Sequence, residues 1–278
     1  MKMSLTAIIS LHKNDNATWF YQAAQSVINQ THPPSCLIVT IDGEVSDLHE
    51  KQLVKISSEN QGINVQLIRS EPLNSRGALL NLAVKGCKTK YVAIMDADDI
   101  SHPNRFEEQL FVFMKNDQID VVGAWIEEID PLDTEFKTVR KVPMGHTDIL
   151  RFAKYRNPIN QMTVMFKKTA VIDSGNYESI RYFEDFWLWI RMLNSGKIFY
   201  NIQKPLVTAR ASKEMVKRRS GLLYAKQEFV LYKKAYRIGF LTLLETLTCL
   251  LLRLPLRLLP QRLLFRFFNQ ILRAKPSA

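Results

Sequence analysis

The chain is short of several things, and each shortage removes a class of function. It has three cysteines, Cys36, Cys87 and Cys249, and none stands in a C-x-x-C pair. Neither a disulfide framework nor a thiolate zinc site can be built from them, and a reducing compartment is expected. Its ten glycines never recur two residues apart, so the G-x-G-x-x-G of dinucleotide-binding folds is absent. The signatures G-x-x-x-x-G-K-[ST] and G-x-S-x-G are missing as well. Ser10 to Asn16 contains no glycine, which speaks against the phosphate loop of a sugar-nucleotide pyrophosphorylase. Long apolar runs are also lacking. The nearest, Ile238 to Leu252, is broken by Glu245, so no membrane-spanning helix is expected. The short run Leu5 to Leu11 meets His12, Lys13, Asn14 and Asp15 with no small-residue cleavage site, which argues against an export signal. A cytoplasmic location is expected.

Acidic residues are scarce relative to basic ones: 27 Asp and Glu face 38 Lys and Arg, a net charge of +11. Such a surplus suits an anionic partner, whether nucleic acid, phosphorylated ligand or acidic lipid. What is present is a globular composition, 46% hydrophobic over 278 residues, enough to bury a sizeable core.

Up to about residue 100 the pattern alternates between two periods. Thr6–Ile9, Leu37–Ile41, Val65–Ile68 and Tyr91–Met95 read as strands, and Ala17–Gln30, Asp47–Ser58 and Gly77–Gly86 as helices. Strands apolar throughout and separated by helices imply a mostly parallel sheet covered on both faces, an α/β domain. Further on, Pro103–Asn116 reads as a helix with Pro103 in its first turn, and Val121–Ile126 as a strand. Asp130–Met144 reads as irregular or hairpin-like, Met162–Phe166 as a strand, and Glu184–Asn194 as a helix closed by Gly196. Beyond Lys213 the composition turns basic, leucine-rich and helical, so a boundary is placed near residue 212.

Ligands of open parallel sheets bind outside the carboxyl ends of the strands. The residues to inspect there are Ser10-Leu11-His12, Asp42-Gly43 and Asp96-Ala97-Asp98-Asp99. Three carboxylates at one strand end repel each other and suit an oxygen-ligated Mg²⁺ or Mn²⁺. They suit equally a turn and helix cap before Pro103. The second constellation is Glu184-Asp185, opening a helix among Tyr182, Phe183, Phe186, Trp187 and Trp189. The pair is either a first-turn complement to the helix dipole or an acid at the rim of an aromatic sugar-binding wall, placed to act as a general base.

Taken in order, these stretches resemble family 2 glycosyltransferases of the GT-A fold, in particular bacterial enzymes that build exopolysaccharide, capsule and O-antigen repeat units. The matching segments are Thr6 to Asn16 with the helix after it, Leu37 to Asp47, and Tyr91 to Gln109 (YVAIMDADDISHPNRFEEQ). Asn157 to Tyr177 (NPINQMTVMFKKTAVIDSGNY) and Tyr182 to Leu193 (YFEDFWLWIRML) complete the set, which covers most of residues 4 to 200. The resemblance implies a GT-A catalytic domain over 1–212 and an inverting, metal-dependent transfer from a nucleotide sugar, expected to be a UDP-sugar. The acceptor it implies is a hydroxyl of a growing, lipid-linked surface glycan. It makes Ser10 and His12 similar to the nucleotide-facing end of the first strand, and Asp42 to the acid that contacts the uracil. Asp96 resembles the ribose-side acid of the D-x-D, and Asp98 the ligand of a Mn²⁺ or Mg²⁺ bridging to the diphosphate. Asp185 resembles the catalytic base, with Glu184 beside it. Leu11 stands where the family often has proline, Gly175-Asn176 where it often has two glycines, and Gln161 where relatives often have histidine.

Two other readings remain at this level: a catalytically inactive scaffold of the same fold, and a basic nucleic-acid-binding protein. The latter calls for basic residues interleaved with aromatics along a groove. From Arg237 to the end, however, seven basic residues and one acid lie among leucines and phenylalanines. No nucleic-acid partner is therefore expected. Residues 213–278 read instead as amphipathic helices, broken or kinked at Pro255 and Pro260, that lie on an anionic membrane with Arg253, Arg257 and Arg266 toward the leaflet. The alternative is a tail packed on the catalytic domain. Arg218 and Arg219 either add to diphosphate neutralisation or form a solvated charge run. The location expected is the inner face of the plasma membrane, peripherally bound.

Overall fold

The computed structural model describes residues 3–60, 62–73, 75–131, 133–210 and 220–258. The amino-terminal half winds as β1 (Leu5–His12), α1 (Ala17–Ile28), β2 (Cys36–Asp42), α2 (Asp47–Glu59), β3 (Asn64–Ser70), α3 (Arg76–Gly86) and β4 (Tyr91–Asp96). Side-chain caps start these helices. Asn16 accepts from the Thr18 and Trp19 amides, Ser46 from His49, and Ser75 from Ala78. There follow β5 (Ile100–Ser101), α4 (Arg105–Lys115), β6 (Ile119–Asp130), β7 (Asp133–Arg140), α5 (His146–Ala153) and β8 (Met165–Lys167). After these come α6 (Lys168–Asp173), α7 (Glu184–Asn194), β9 (Ile198–Arg210), α8 (Leu222–Arg237) and α9 (Leu243–Leu258).

The strands form one sheet in the order β3-β2-β1-β4-β8-β6-β9-β5, with β7 hairpinned onto β6. The first four are mutually parallel, and β8 enters antiparallel between β4 and β6. Alternate residues of each strand point to opposite faces. Ile8, Ile38, Val92 and Ile94 therefore pack with α3, α7 and α8, while Ala7, Ile9, Val39 and Met95 pack with α1, α2 and α4. The α/β reading holds, and the expected strands and helices of the first hundred residues are all present.

Four elements were not legible, of which β5 is only two residues long. Strand β9 carries Gln203, Lys204 and Pro205 in its middle, and its register with β6 shifts around Trp125, so its periodicity is broken where the ladder bulges. Helices α5 and α6 are only eight and six residues long, too short for a helical period to stand out. Helix α4 opens at Arg105 instead of Pro103, because His102, Pro103 and Asn104 form a turn in which the Arg105 amide donates to the His102 carbonyl at 3.0 Å.

The carboxyl-terminal helices share the main core. Tyr224 packs on Phe183 at 4.9 Å, and Leu231, Tyr232 and Ala235 are buried in the cluster that holds Trp187 and Leu188. Helix α9 runs through Pro255 to Leu258 without a break. One expectation about this region is corrected. Arg253 and Arg257 turn inward, toward Glu228 of α8, with nitrogen–oxygen distances of 2.6 and 2.8 Å. The Glu228 carboxylate, 1% exposed, gives both guanidiniums a partner inside the fold. Arg218, Arg219, Pro260, Arg262, Arg266, Arg273 and Lys275 lie outside the described residues.

Candidate active site

The parallel register lines up the strand ends. Ser10 stands opposite Asp96, and His12 opposite Asp42. Ser10 Oγ accepts from Thr40 Oγ1 at 3.0 Å, and the His12 amide donates to Asp15 Oδ2 at 2.8 Å. Asp42 is buried, and its Oδ1 accepts from the Leu73 amide at 2.7 Å, so it also fastens the loop after β3. Ser10, His12, Asp42 and Asp96 thus share one edge of the sheet, where its chain order reverses between β1 and β4.

The carboxylates of Asp96, Asp98 and Asp99 approach within 4.8 Å of one another. Burial, with Asp96 and then Asp15 adding repulsion, pushes the Asp98 carboxyl up to about 6. Burial also raises Asp99 well above the usual carboxylate range, Asp96 and Asp98 adding to it. The donors of this cluster are all carboxylate oxygens held close together, which fits a hard divalent cation such as Mn²⁺ or Mg²⁺.

Two arginines hold the turn. Arg210, at the end of β9, donates its amide to Asp99 Oδ1 at 2.9 Å and its guanidinium to the Asp98 carbonyl and to Gln22 Oε1. Arg105 lies fully buried beneath, with Nη2 donating to the Ile94 carbonyl at 2.9 Å and Nε to Gln109 Oε1 at 3.1 Å. Burial pushes its pKa down to about 9, opposed by Asp96.

Arg76 connects this cluster to the second acid pair. Its Nη2 bonds Asp96 Oδ1, in an ion pair between the first turn of α3 and the end of β4. Burial works against the Arg76 charge, but Asp96, Glu184 and Asp185 outweigh it and raise its pKa. Helix α3 can come this close to α7 because residue 77 is glycine. A Cβ there would meet the Glu178 carbonyl oxygen and lie 3.1 Å from Glu184 Cβ.

Glu184 and Asp185 occupy the first turn of α7. Burial raises both, and the Asp185 charge adds to the rise of Glu184, which reaches about 7. Against that rise, Asp185 Oδ1 accepts from the Phe186 amide at 2.6 Å and Oδ2 from Asn157 Nδ2 at 2.7 Å. The backbone just before the pair is strained, since Tyr182 has φ of 71°. Asn176, where the family pattern has a second glycine, also takes the left-handed region at φ 56°. Asn is the side chain best suited to that region after glycine, and its Oδ1 accepts from the Tyr177 amide at 2.8 Å.

A cleft of about 500 Å³ joins these groups. Arg76, Asp96, Glu184 and Asp185 line it together with Gln161, Tyr182, Phe183 and Phe186, and α9 contributes Leu252, Arg253, Leu256 and Arg257. Gln161 donates to the Tyr177 hydroxyl at 3.1 Å, while its buried Oε1 has no partner among the described residues. Of the aromatics that would wall a sugar, Trp187 and Trp189 belong to the core, at 3% and 0% exposure. Ser10, His12, Asp42 and Asp98 lie outside this cleft's lining, along the strand ends beside it. Sequence reasoning missed Arg76, Asn157 and Arg210. Asn157 heads one of the resembling stretches and could have been found there; Arg76 and Arg210 carry no local signal.

The family model described as glycosyl transferase family 2 matches residues 6–175. An uncharacterised glycosyltransferase of Haemophilus influenzae is 31% identical over 98% of this chain and 100% of its own length. A UDP-Gal:alpha-D-GlcNAc-diphosphoundecaprenol beta-1,3-galactosyltransferase of Escherichia coli is 30% identical over 96% of each chain. Among solved structures, a mannosyltransferase from Pyrobaculum calidifontis in complex with GDP-Man and Mn²⁺ superposes with a TM-score of 0.67. It shares 13% identity and covers 98% of this chain and 76% of its own.

Proposed function

The chain belongs to glycosyl transferase family 2, and from that membership we propose an inverting transfer of a sugar from a UDP-sugar to a hydroxyl of a lipid-linked glycan. Support for the donor and acceptor classes comes from the Escherichia coli relative, named for transfer from UDP-Gal to a GlcNAc-diphosphoundecaprenol. The observation that carries the reading is the link through Arg76, which joins the acid cluster of β4 to Glu184 and Asp185 along one cleft.

Asp98, with Asp96 beside it, would hold a Mn²⁺ or Mg²⁺, whose chemistry is to neutralise the departing nucleoside diphosphate. Ser10, His12 and Asp42 would receive the nucleoside along the strand ends, and Asp96 the ribose. The acceptor hydroxyl enters from the cleft and attacks the anomeric carbon on the face opposite the leaving group. As the new bond forms, its proton passes to Asp185, and the old glycosidic electrons leave with the diphosphate. Asn157 and the Phe186 amide orient the carboxylate for that step. Arg76 lends positive potential to the side where negative charge grows.

We assign catalysis to residues 1–212 and membrane association to 213–278, of which α8 and α9 supply Tyr224, Cys249, Leu252, Arg253, Leu256 and Arg257 to the cleft. Among the described residues no helix is long and apolar enough to cross a membrane. Helix α9 nevertheless exposes Leu244, Leu247 and Leu251 on one face, with Leu243 and Leu252 beside them. That face supports peripheral binding at the inner face of the plasma membrane. The test is a panel of nucleotide sugars with Mn²⁺ and a glycosyl-diphospholipid acceptor, with the product anomer read by NMR. Inverted product from a UDP-sugar is expected; retained configuration, or no turnover of any donor, contradicts the reading.

A further inference from the structure

The part of the cleft formed by Arg156 and α9 is basic in a way the transfer step does not require. Arg156, Arg253 and Arg257 line it, while the carboxylates of the same lining, Asp96, Glu184 and Asp185, are the ones whose charges Arg76 feels. Arg253 and Arg257 share a single buried acid, Glu228. Arg156 stacks on Phe152 at 5.4 Å, and among the described residues no carboxylate stands within ion-pair distance of it. Burial and the like charge of Arg253 both lower its pKa. Among the described residues Arg156 thus adds a guanidinium without a carboxylate of its own to a concave, half-apolar space, which is costly without an anion.

Arg156 also has a telling position. The next residue, Asn157, donates to Asp185. Away from the base, Leu252 and Leu256 line the same cleft, and α9 carries its exposed leucines from there to the surface. One cleft lining therefore brings together a carboxylate base, a cationic cluster and apolar side chains.

We propose that Arg156, supported by Arg253 and Arg257, binds the diphosphate of the acceptor, a sugar diphosphate carried on a long apolar chain that leaves over Leu252 and Leu256. This rests on the glycosyl transfer proposed above and goes beyond it by giving the acceptor's anion its own subsite, separate from the donor's at Asp96 and Asp98. Charge complementarity carries the choice of occupant, because a diphosphate diester bears one negative charge on each phosphate. A bilayer headgroup is a poorer fit, since Arg257 is only 6% exposed and faces Glu228.

The experiment is calorimetry on the full chain, with divalent ions chelated, using farnesyl diphosphate and farnesol as probes. Farnesyl diphosphate is expected to bind at least ten-fold more tightly than farnesol. Arg156→Ala should weaken it by about ten-fold or more, the scale of a charge-assisted hydrogen bond, and Arg156→Lys should recover part of the loss. UDP binding in Mn²⁺ and sedimentation with phosphatidylglycerol vesicles should be the same in wild type and Arg156→Ala. Equal affinity for the two probes, or an Arg156→Ala protein that keeps its diphosphate affinity, overturns the subsite. Loss of vesicle binding with farnesyl diphosphate affinity intact moves Arg156 to the lipid surface and overturns it as well. If wild type binds farnesyl diphosphate through Arg156 but no nucleotide with Mn²⁺, the donor reading falls and the subsite stands.

Discussion

Arg76, in the first turn of α3, is ion-paired with Asp96 at the end of β4. The same guanidinium feels the charges of Glu184 and Asp185, so one side chain acts on both acid groups. Arg76 lowers the pKa of Glu184 and of Asp185, against the burial that raises them. Replacing it with methionine should therefore raise both. The acid limb of the pH–rate profile is expected to move to higher pH, with kcat/KM at neutral pH down by ten-fold or more. An acid limb that stays in place contradicts this role.

Asp185→Asn removes the proposed base while keeping its shape and its Asn157 and Phe186 neighbours. Turnover is expected to drop by about 10²-fold or more with nucleotide affinity unchanged. Steady-state kinetics beside a binding titration check this, and retained kcat would pass the role to Glu184.

Glu184 makes stability depend on pH. Its folded pKa is raised, by burial and by Asp185, from the ordinary 4.5 to about 7. Its stabilising contribution is full below about pH 4.5 and is lost as pH rises through 7. With divalent ions chelated, the melting temperature of the wild type should fall across this window, and that of Glu184→Gln should fall less. Parallel curves for the two proteins would show that Glu184 titrates as it does in the unfolded chain.

Glu228→Gln leaves Arg253 and Arg257 without their shared acid inside the protein. Burial disfavours the Glu228 charge, yet hydrogen bonding and attraction from the two arginines outweigh it and lower its pKa. Urea unfolding is expected to show a loss of about 3 kcal/mol, the scale for breaking a buried pair. A loss under about 0.5 kcal/mol would mean that α8 and α9 are held together by apolar packing alone.

The sequence carried more of the sheet than of the site's wiring. Thr6–Ile9, Leu37–Ile41 and Tyr91–Met95 were legible because strands buried on both faces are apolar throughout. The acids at their ends, Asp42, Asp96 and Asp98, were legible by position, since the apolar run stops at them. Strand β9 was hidden because Lys204 and Pro205 interrupt it where it bulges against β6. Arg210 was hidden with it. Arg253 and Arg257 were read outward because their helical spacing marks a face without saying which way it turns; Glu228, 25 and 29 residues away, decided the direction. Pair interactions over such separations leave no period in the sequence.

The central claim, that Asp98 holds the cation on which donor binding depends, is tested most directly by calorimetric titration of UDP with and without Mn²⁺. Wild type and Asp185→Asn are expected to bind UDP tightly only when Mn²⁺ is present. Asp98→Ala should lose the Mn²⁺-dependent part of the affinity, because Asp96, already paired with Arg76, is left as the nearer oxygen donor. An Asp98→Ala protein that binds UDP and Mn²⁺ as the wild type does would contradict the account.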